Sequence, residues 1–262
     1  MDFNNDRFRL DGKVAIVTGA GGRGNNIGRA YAIGLANAGA AVIAADIVKE
    51  GAEAVANEIV AAGGKALAVQ VDITDEASVA AMAATAQEAF GGVDILVNNA
   101  ALMVEIVATS AMQTTTEQWH RALSVNLLGA LNCTKAVVPL MEARGGGRIV
   151  NQVTAGAFPA KTVYGVTKIA LHGLTTTLAA ELGPKNITVN GIAPGITLSD
   201  AGAALTPGTE SEFTKVVSMM CAYRMRGTPD ELVGPLLMLV SDAGGWMSGQ
   251  TLNVDGGFVL RN

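Results

Sequence analysis

Residues 17–30 read "VTGAGGRGNNIGRA". The stretch closes a short apolar run, "KVAIVTG" (13–19), of the kind that forms a buried parallel strand. It opens onto Ile27, Ala30, Tyr31, Gly34, Leu35 and Ala38, which are spaced for one face of a helix. Of its five glycines, Gly19, Gly21 and Gly24 match G-x-G-x-x-G letter for letter. That pattern, between a strand and a helix, cradles a pyrophosphate on backbone N–H groups. The helix register points to a different set. A helix beginning near Ile27 has Asn25 or Asn26 as its N-cap and turns Gly28 toward the sheet. A missing side chain there lets helix and strand approach, and Gly19 makes the turn off the strand. The expected phosphate-side set is therefore Gly19, Asn26, Ile27 and Gly28, with "GGRG" as part of an enlarged loop.

The same alternation continues along the chain. Further strands are expected at 41–46, 66–72, 93–100, 147–154, 186–195 and 250–257. Helices are expected at 50–62, 75–90, 115–143, 161–182 and 229–241. Repeated βα units imply an α/β fold: a single doubly wound Rossmann domain over residues 1–262, its seven-stranded parallel sheet flanked by helices on both faces. Residues 196–228 are long for a connection and are expected to form a substrate-binding lid. Phe213, Val216, Val217, Met219 and Met220 give it apolar surface to bury.

Net charge is −5, with no basic run, which argues against nucleic acid as a partner. The two cysteines, Cys133 and Cys221, and the two histidines show no metal-ligand spacing, so no metal is expected. The cysteines read as buried free thiols of a reducing compartment. "MDFNNDRFRLDGK" has no apolar core for a secretory signal, and no apolar stretch runs uninterrupted to membrane-span length. A cytoplasmic protein with no membrane partner is expected.

Asp46 ends the second expected strand, about 20 residues beyond the glycine turn. An acid there accepts hydrogen bonds from adenosine ribose hydroxyls and repels a 2′-phosphate, favouring NAD over NADP. Arg23, in the loop, argues the other way. In "YGVTK", Tyr164 and Lys168 share a helix face. A neighbouring ammonium favours phenolate and lowers a tyrosine pKa that is otherwise about 10, which makes a general base.

With "TGAGGRGNNIG", Asp46, "VDIT" (71–74), "NNAA" (98–101), "VNLLGA" (125–130), "IVNQVT" (149–154), "YGVTK", "NGIAPG" (190–195) and "NVDGG" (253–257) in order, the chain resembles the short-chain dehydrogenase/reductase family from about residue 10 to its end. The resemblance implies that Tyr164 is the catalytic acid/base and that Lys168 tunes it and binds the nicotinamide ribose. It implies that Asn126 holds a water through which protons reach Lys168. Asp72 and Ile73 would meet the adenine. Asn98 would steady the strand that carries the cofactor, with Asn99 and Ala100 against the cofactor itself. Pro194, Gly195, Ile196 and Thr197 would line the nicotinamide. Family members are commonly homotetramers or dimers, so a homo-oligomer built on helices 115–143 and 161–182 is expected.

Two departures stand out. Thr154 occupies the position of the family's usual serine. It keeps the hydroxyl but adds a methyl that stiffens χ1. The loop from Thr18 to Gly28 is about three residues longer than the family spacing, and Asn26 replaces its middle glycine. His120 and His172 read as helix-interface residues. Met219, Met220 and Met225 suit either the core or an apolar pocket, and Phe158 lies where substrate contact is expected. The function expected is an NAD-dependent oxidoreductase moving hydride between nicotinamide and a moderately hydrophobic secondary alcohol or ketone. The alternative is a nucleotide-binding sensor or scaffold without turnover.

Overall fold

Strand β1 (Val14–Thr18) is buried at all five residues because it has a neighbour on each edge. It pairs in parallel with β2 (Ala41–Asp46) on one side and β4 (Ile95–Asn98) on the other. The remaining strands are β3 (Lys65–Gln70), β5 (Gly147–Gln152), β6 (Ile187–Pro194) and β7 (Thr251–Val254). All pairings are parallel, in the order β3-β2-β1-β4-β5-β6-β7. The chain reverses direction between β1 and β4, and a doubly wound sheet has its ligand crevice outside the strand ends at that point. The computed structural model describes residues 5–22, 26–107, 109–200, 219, 221–223 and 227–260.

Helices cover both faces, as expected. Helix α1 (Ile27–Asn37), α2 (Lys49–Ala61) and α7 (Val233–Val240) pack on one, with Tyr31, Leu35, Val55, Ile59, Leu236 and Leu239 in a shared core. On the other lie α3 (Glu76–Phe90), α5 (Gly129–Ala143) and α6 (Val163–Leu182), which contribute Val79, Met82, Cys133, Val137, Met141, Leu178 and Leu182. Burial pushes the Cys133 thiol up to about 12, which makes it inert. Cys221 is only half-buried, contrary to expectation.

The helix expected over 115–143 is instead α4 (Thr116–Leu123), a π-helical turn (Ser124–Leu128) and α5. A π-turn inserts one residue into the helix, and such turns concentrate at functional sites. By length and composition alone the continuous stretch Thr116–Ala143 is long and apolar enough to cross a membrane, although Glu117, Arg121, Lys135 and Glu142 interrupt it. Asn126 and Asn132 within it are spent on hydrogen bonds inside the fold. The last expected helix opens with a 3-10 turn at Pro229–Leu232, where Thr228 and Glu231 form a capping box. Strand ends are one to three residues shorter than expected at β3, β4 and β7, since a strand stops where its partner diverges. Of the expected lid, residues 201–218, 220 and 224–226 lie outside the described residues, as do Arg23, Gly24 and Asn25 of the glycine loop.

Candidate active site

Asn26 is the N-cap of α1. Its side chain accepts from Arg29 N at 2.8 Å and its carbonyl from Ala30 N. The N–H groups of Ile27 and Gly28 are left with no acceptor inside the helix. Gly19 turns off β1 at φ +67°, and a Cβ on Gly28 would stand 2.1 Å from the Gly19 carbonyl oxygen. Only glycine fits there. Asn99 fastens the turn from the side, its Nδ2 donating to the carbonyls of Thr18 at 3.0 Å and Gly19 at 3.1 Å. The Thr18 hydroxyl accepts from the N–H groups of Asn99 and Ala100. Helix N-terminus, glycine turn and the β1/β4 crevice thus meet in a cradle that a side chain would fill. These residues fit the pyrophosphate of a dinucleotide.

Asp46 ends β2. It is buried, and its Oδ2 accepts from Gly21 N and Gly22 N at 2.9 Å each, its Oδ1 from Val48 N at 2.9 Å. Of about four acceptor sites on a carboxylate, three are therefore used by backbone. Asp72 lies exposed beyond β3. Hydrogen bonds from the Thr74 hydroxyl and N–H to its Oδ1 hold its carboxyl below the ordinary range. Ile73 is buried, with its carbonyl accepting from Asn132.

Across the crevice, Thr162 caps α6 by accepting from Gly165 N at 3.0 Å, which sets Tyr164 in the first turn. Lys168 follows one turn later, its Nζ 5.7 Å from the centroid of the Tyr164 ring. That Nζ is fully buried and donates to the main-chain carbonyl of Gln152, the last residue of β5, at 2.7 Å. Burial pushes the Tyr164 hydroxyl well above the ordinary tyrosine value and draws the Lys168 ammonium down to about 7. In this state desolvation outweighs the expected lowering of Tyr164 by its neighbour, because a low-dielectric site disfavours either charge.

Asn126 occupies the π-turn and is fully buried. Its Nδ2 donates to Leu102 O at 2.9 Å and to the Thr167 hydroxyl at 3.0 Å, and its Oδ1 accepts from Leu102 N at 2.7 Å. Both amide hydrogens are used by protein. The side chain thus ties the segment after β4 to the catalytic helix. Thr167 continues the tie to the Tyr164 carbonyl at 2.8 Å. Thr154 follows β5, with its hydroxyl 3.5 Å from Pro194 O at the end of β6. Asn98 steadies the floor of the crevice by donating to Asn151 Oδ1 at 2.9 Å, and Asn151 donates to Thr175.

Pro194 and Thr197 are buried, while Gly195 and Ile196 are half-buried. A Cβ on Gly195 would crowd Asp255 Cα at 2.8 Å. Tyr164 shares an apolar cluster with Ile106, Ala122 and Val163, with Leu102, Met103, Val107 and Trp119 packed against it. His172 bonds Thr251 and meets Phe158 edge-on at 5.5 Å, which makes it the interface residue expected and places Phe158 against α6. Sequence reasoning missed Gln152, whose carbonyl holds Lys168 and whose Oε1 accepts from the buried Tyr31 hydroxyl at 2.8 Å. A glutamine inside an apolar strand was the available signal. Among the described residues, no group of three metal-ligating side chains converges.

Fold and site together define an oxidoreductase of the dinucleotide-binding Rossmann class. A family model described as enoyl-(acyl carrier protein) reductase matches residues 22–259. An oxidoreductase of Mycobacterium tuberculosis is 46% identical over 253 residues, covering 97% of this chain and 100% of the relative. The 7alpha-hydroxysteroid dehydrogenase of Escherichia coli is 39% identical, covering 98% of each chain. A solved 7 alpha-hydroxysteroid dehydrogenase complexed with NADH and 7-oxo glycochenodeoxycholic acid superposes with a TM-score of 0.91, at 37% identity over 98% of each chain. A gluconate 5-dehydrogenase from Burkholderia cenocepacia, in complex with NADP and tartrate, superposes at 0.88, with 34% identity over 97% of each. The chain belongs to the short-chain dehydrogenase/reductase family and, like these relatives, is an oxidoreductase acting through a nicotinamide cofactor.

Proposed function

We propose that the protein is an NAD-dependent dehydrogenase/reductase interconverting a moderately hydrophobic secondary alcohol and its ketone. The observation that carries the reading is Lys168 Nζ at 5.7 Å from the ring centroid of a Tyr164 that packs with Leu102, Met103, Ile106, Val107 and Trp119, while Lys168 is held by Gln152, two residues before Thr154. A cyclic, steroid-like skeleton suits that wall, and a relative of similar shape holds a bile-acid derivative. The acid at Asp46 favours NAD.

The N–H groups of Ile27 and Gly28 and the Gly19 turn would hold the pyrophosphate. Asp46 would meet the adenosine ribose, Asp72 and Ile73 the adenine, and Asn99, Ala100 and Pro194 to Thr197 the nicotinamide half. When bound, the nicotinamide supplies or accepts the hydride. Thr154 donates its hydroxyl hydrogen to the substrate oxygen. Tyr164 gives its hydroxyl proton to that oxygen in reduction, leaving a phenolate, and in oxidation the phenolate takes the proton back from the alcohol. Lys168 holds the nicotinamide ribose and, when charged, offsets the developing phenolate. Helices α4 to α6 carry exposed apolar residues such as Leu128 and Val166, which suit a homo-oligomer, dimer or tetramer, in the cytoplasm.

The test is absorbance of the reduced nicotinamide with NAD⁺ or NADP⁺ and a panel of cyclic and steroidal secondary alcohols. Turnover with NAD⁺ that Tyr164→Phe abolishes, with NADH binding retained, supports the reading. NADH binding without turnover on the whole panel, in either direction, favours a nucleotide sensor instead.

A further inference from the structure

Gly21 and Gly51 lie backbone against backbone. A Cβ on Gly21 would stand 2.4 Å from Ala52 N and 2.5 Å from the Gly51 carbonyl carbon. A Cβ on Gly51 would stand 2.9 Å from both the carbonyl carbon and oxygen of Gly21. Gly51 occupies the first turn of α2, and glycine is among the poorest helix formers. Its absent side chain is what admits the start of the enlarged glycine loop. At the same place Gly21 N and Gly22 N donate to Asp46 Oδ2 while Val48 N holds Oδ1.

We propose that Gly51 is a positioning residue for cofactor selection: it seats the Gly21–Gly22 segment on α2 and thereby pins the Asp46 carboxylate against a 2′-phosphate. A loosely held carboxylate relieves repulsion by rotating away. Asp46 is buried, and rotating it breaks three hydrogen bonds to a charged acceptor, a stronger kind than neutral ones. The cations carried by α1 and α2 are already paired, Arg29 with Glu58 and Lys49 with Glu53, so turning either to a phosphate breaks an existing pair. The selectivity of this site thus comes from the immobility of the acid as well as its charge. The inference rests on the reading of Asp46 as the ribose-facing acid of an NAD site.

Calorimetric dissociation constants for NAD⁺ and NADP⁺ test it on wild type, Gly51→Ala and Gly21→Ala. Alanine at 51 favours the helix intrinsically, so a loss there comes from the displaced loop. Gly21→Ala strikes the same contact from the opposite element. In both variants the preference for NAD⁺ over NADP⁺ is expected to fall by about ten-fold or more, with Asp46 in place. For Gly51→Ala, kcat at saturating NAD⁺ is expected to change less than that ratio. In wild type, slow exchange of the Gly21 and Gly22 amide protons is expected from their bonds to Asp46. An unchanged preference in both variants, with the folded state verified by circular dichroism, overturns the pinning and leaves the NAD reading standing. A wild type that prefers NADP⁺ overturns both.

Discussion

Lys168 Nζ donates to the main-chain carbonyl of Gln152 at 2.7 Å from a fully buried position on α6. The bond joins the catalytic helix to the end of β5, so the ammonium is fixed by the sheet itself. Its charge is costly there, and burial draws its pKa down to about 7. A lysine whose folded value lies below its unfolded value of about 10.4 releases a proton on folding throughout that interval. The cost is greatest below about pH 7 and fades as pH rises toward 10. Lys168→Met, of similar volume and without charge, should therefore raise the melting temperature of the cofactor-free protein. The gain should be largest at pH 6 and narrow by pH 9, while turnover is lost. Thermal unfolding of both proteins across that range decides it, and a gain independent of pH would contradict the account.

Gly28→Ala tests the cradle. In an exposed helix the change stabilises by about 1 kcal/mol. Here the added Cβ would meet Gly19 O at 2.1 Å and Asn99 Nδ2 at 2.6 Å, and the nearest atom is backbone. Overpacking of this kind costs about 1–3 kcal/mol. The sign therefore reverses: the variant should be less stable in urea and bind NADH more weakly, as followed by quenching of protein fluorescence. A stabilised variant with normal binding would show that α1 does not sit against the turn.

Thr154→Ser removes the methyl and keeps the donor. Thr154→Ala removes both. If the hydroxyl polarises the substrate oxygen, serine should hold kcat/KM within about ten-fold of wild type, whereas alanine should lower kcat by about a hundred-fold, as loss of one such donor does elsewhere. Steady-state kinetics on one alcohol compares the three. Equal loss in both variants would assign the methyl, and not the hydroxyl, the larger part.

Much of this was legible in the sequence, for reasons that differ by residue. The parallel, doubly wound sheet follows from apolar runs alternating with helical periodicity, and Gly28 could be placed because the helix register around Ile27 and Tyr31 is unambiguous. Tyr164 and Lys168 are close in sequence, so their spacing fixes their relation. Asp46 was found, but its state was not. The bonds from Gly21, Gly22 and Val48 depend on how the loop folds back on α2 at Gly51, a contact that periodicity does not encode. The π-turn was invisible because helical periodicity continues through it. The Tyr31–Gln152 bond joins residues 121 apart, and nothing local encodes it.

Asn126 offers the sharpest separation of shape from polarity. Its two amide hydrogens go to Leu102 O and Thr167 Oγ1, and its oxygen accepts from Leu102 N. Asn126→Asp preserves volume but turns a donor into a carboxylate oxygen facing a carbonyl, in a buried site. Asn126→Ala leaves a small hole and unpaired groups on Leu102, without a charge. Unsatisfied buried polar groups cost about 1–3 kcal/mol each, and an unpaired buried charge more. The aspartate variant should therefore be the less stable of the two by urea denaturation at pH 7, and the difference should shrink at pH 5 as the carboxyl is driven to protonate. Both should lower kcat, because the tie through Thr167 to the Tyr164 carbonyl is cut. If alanine proved the more damaging at pH 7, volume rather than donation would hold the segment after β4, and the amide would not be what aligns the catalytic helix.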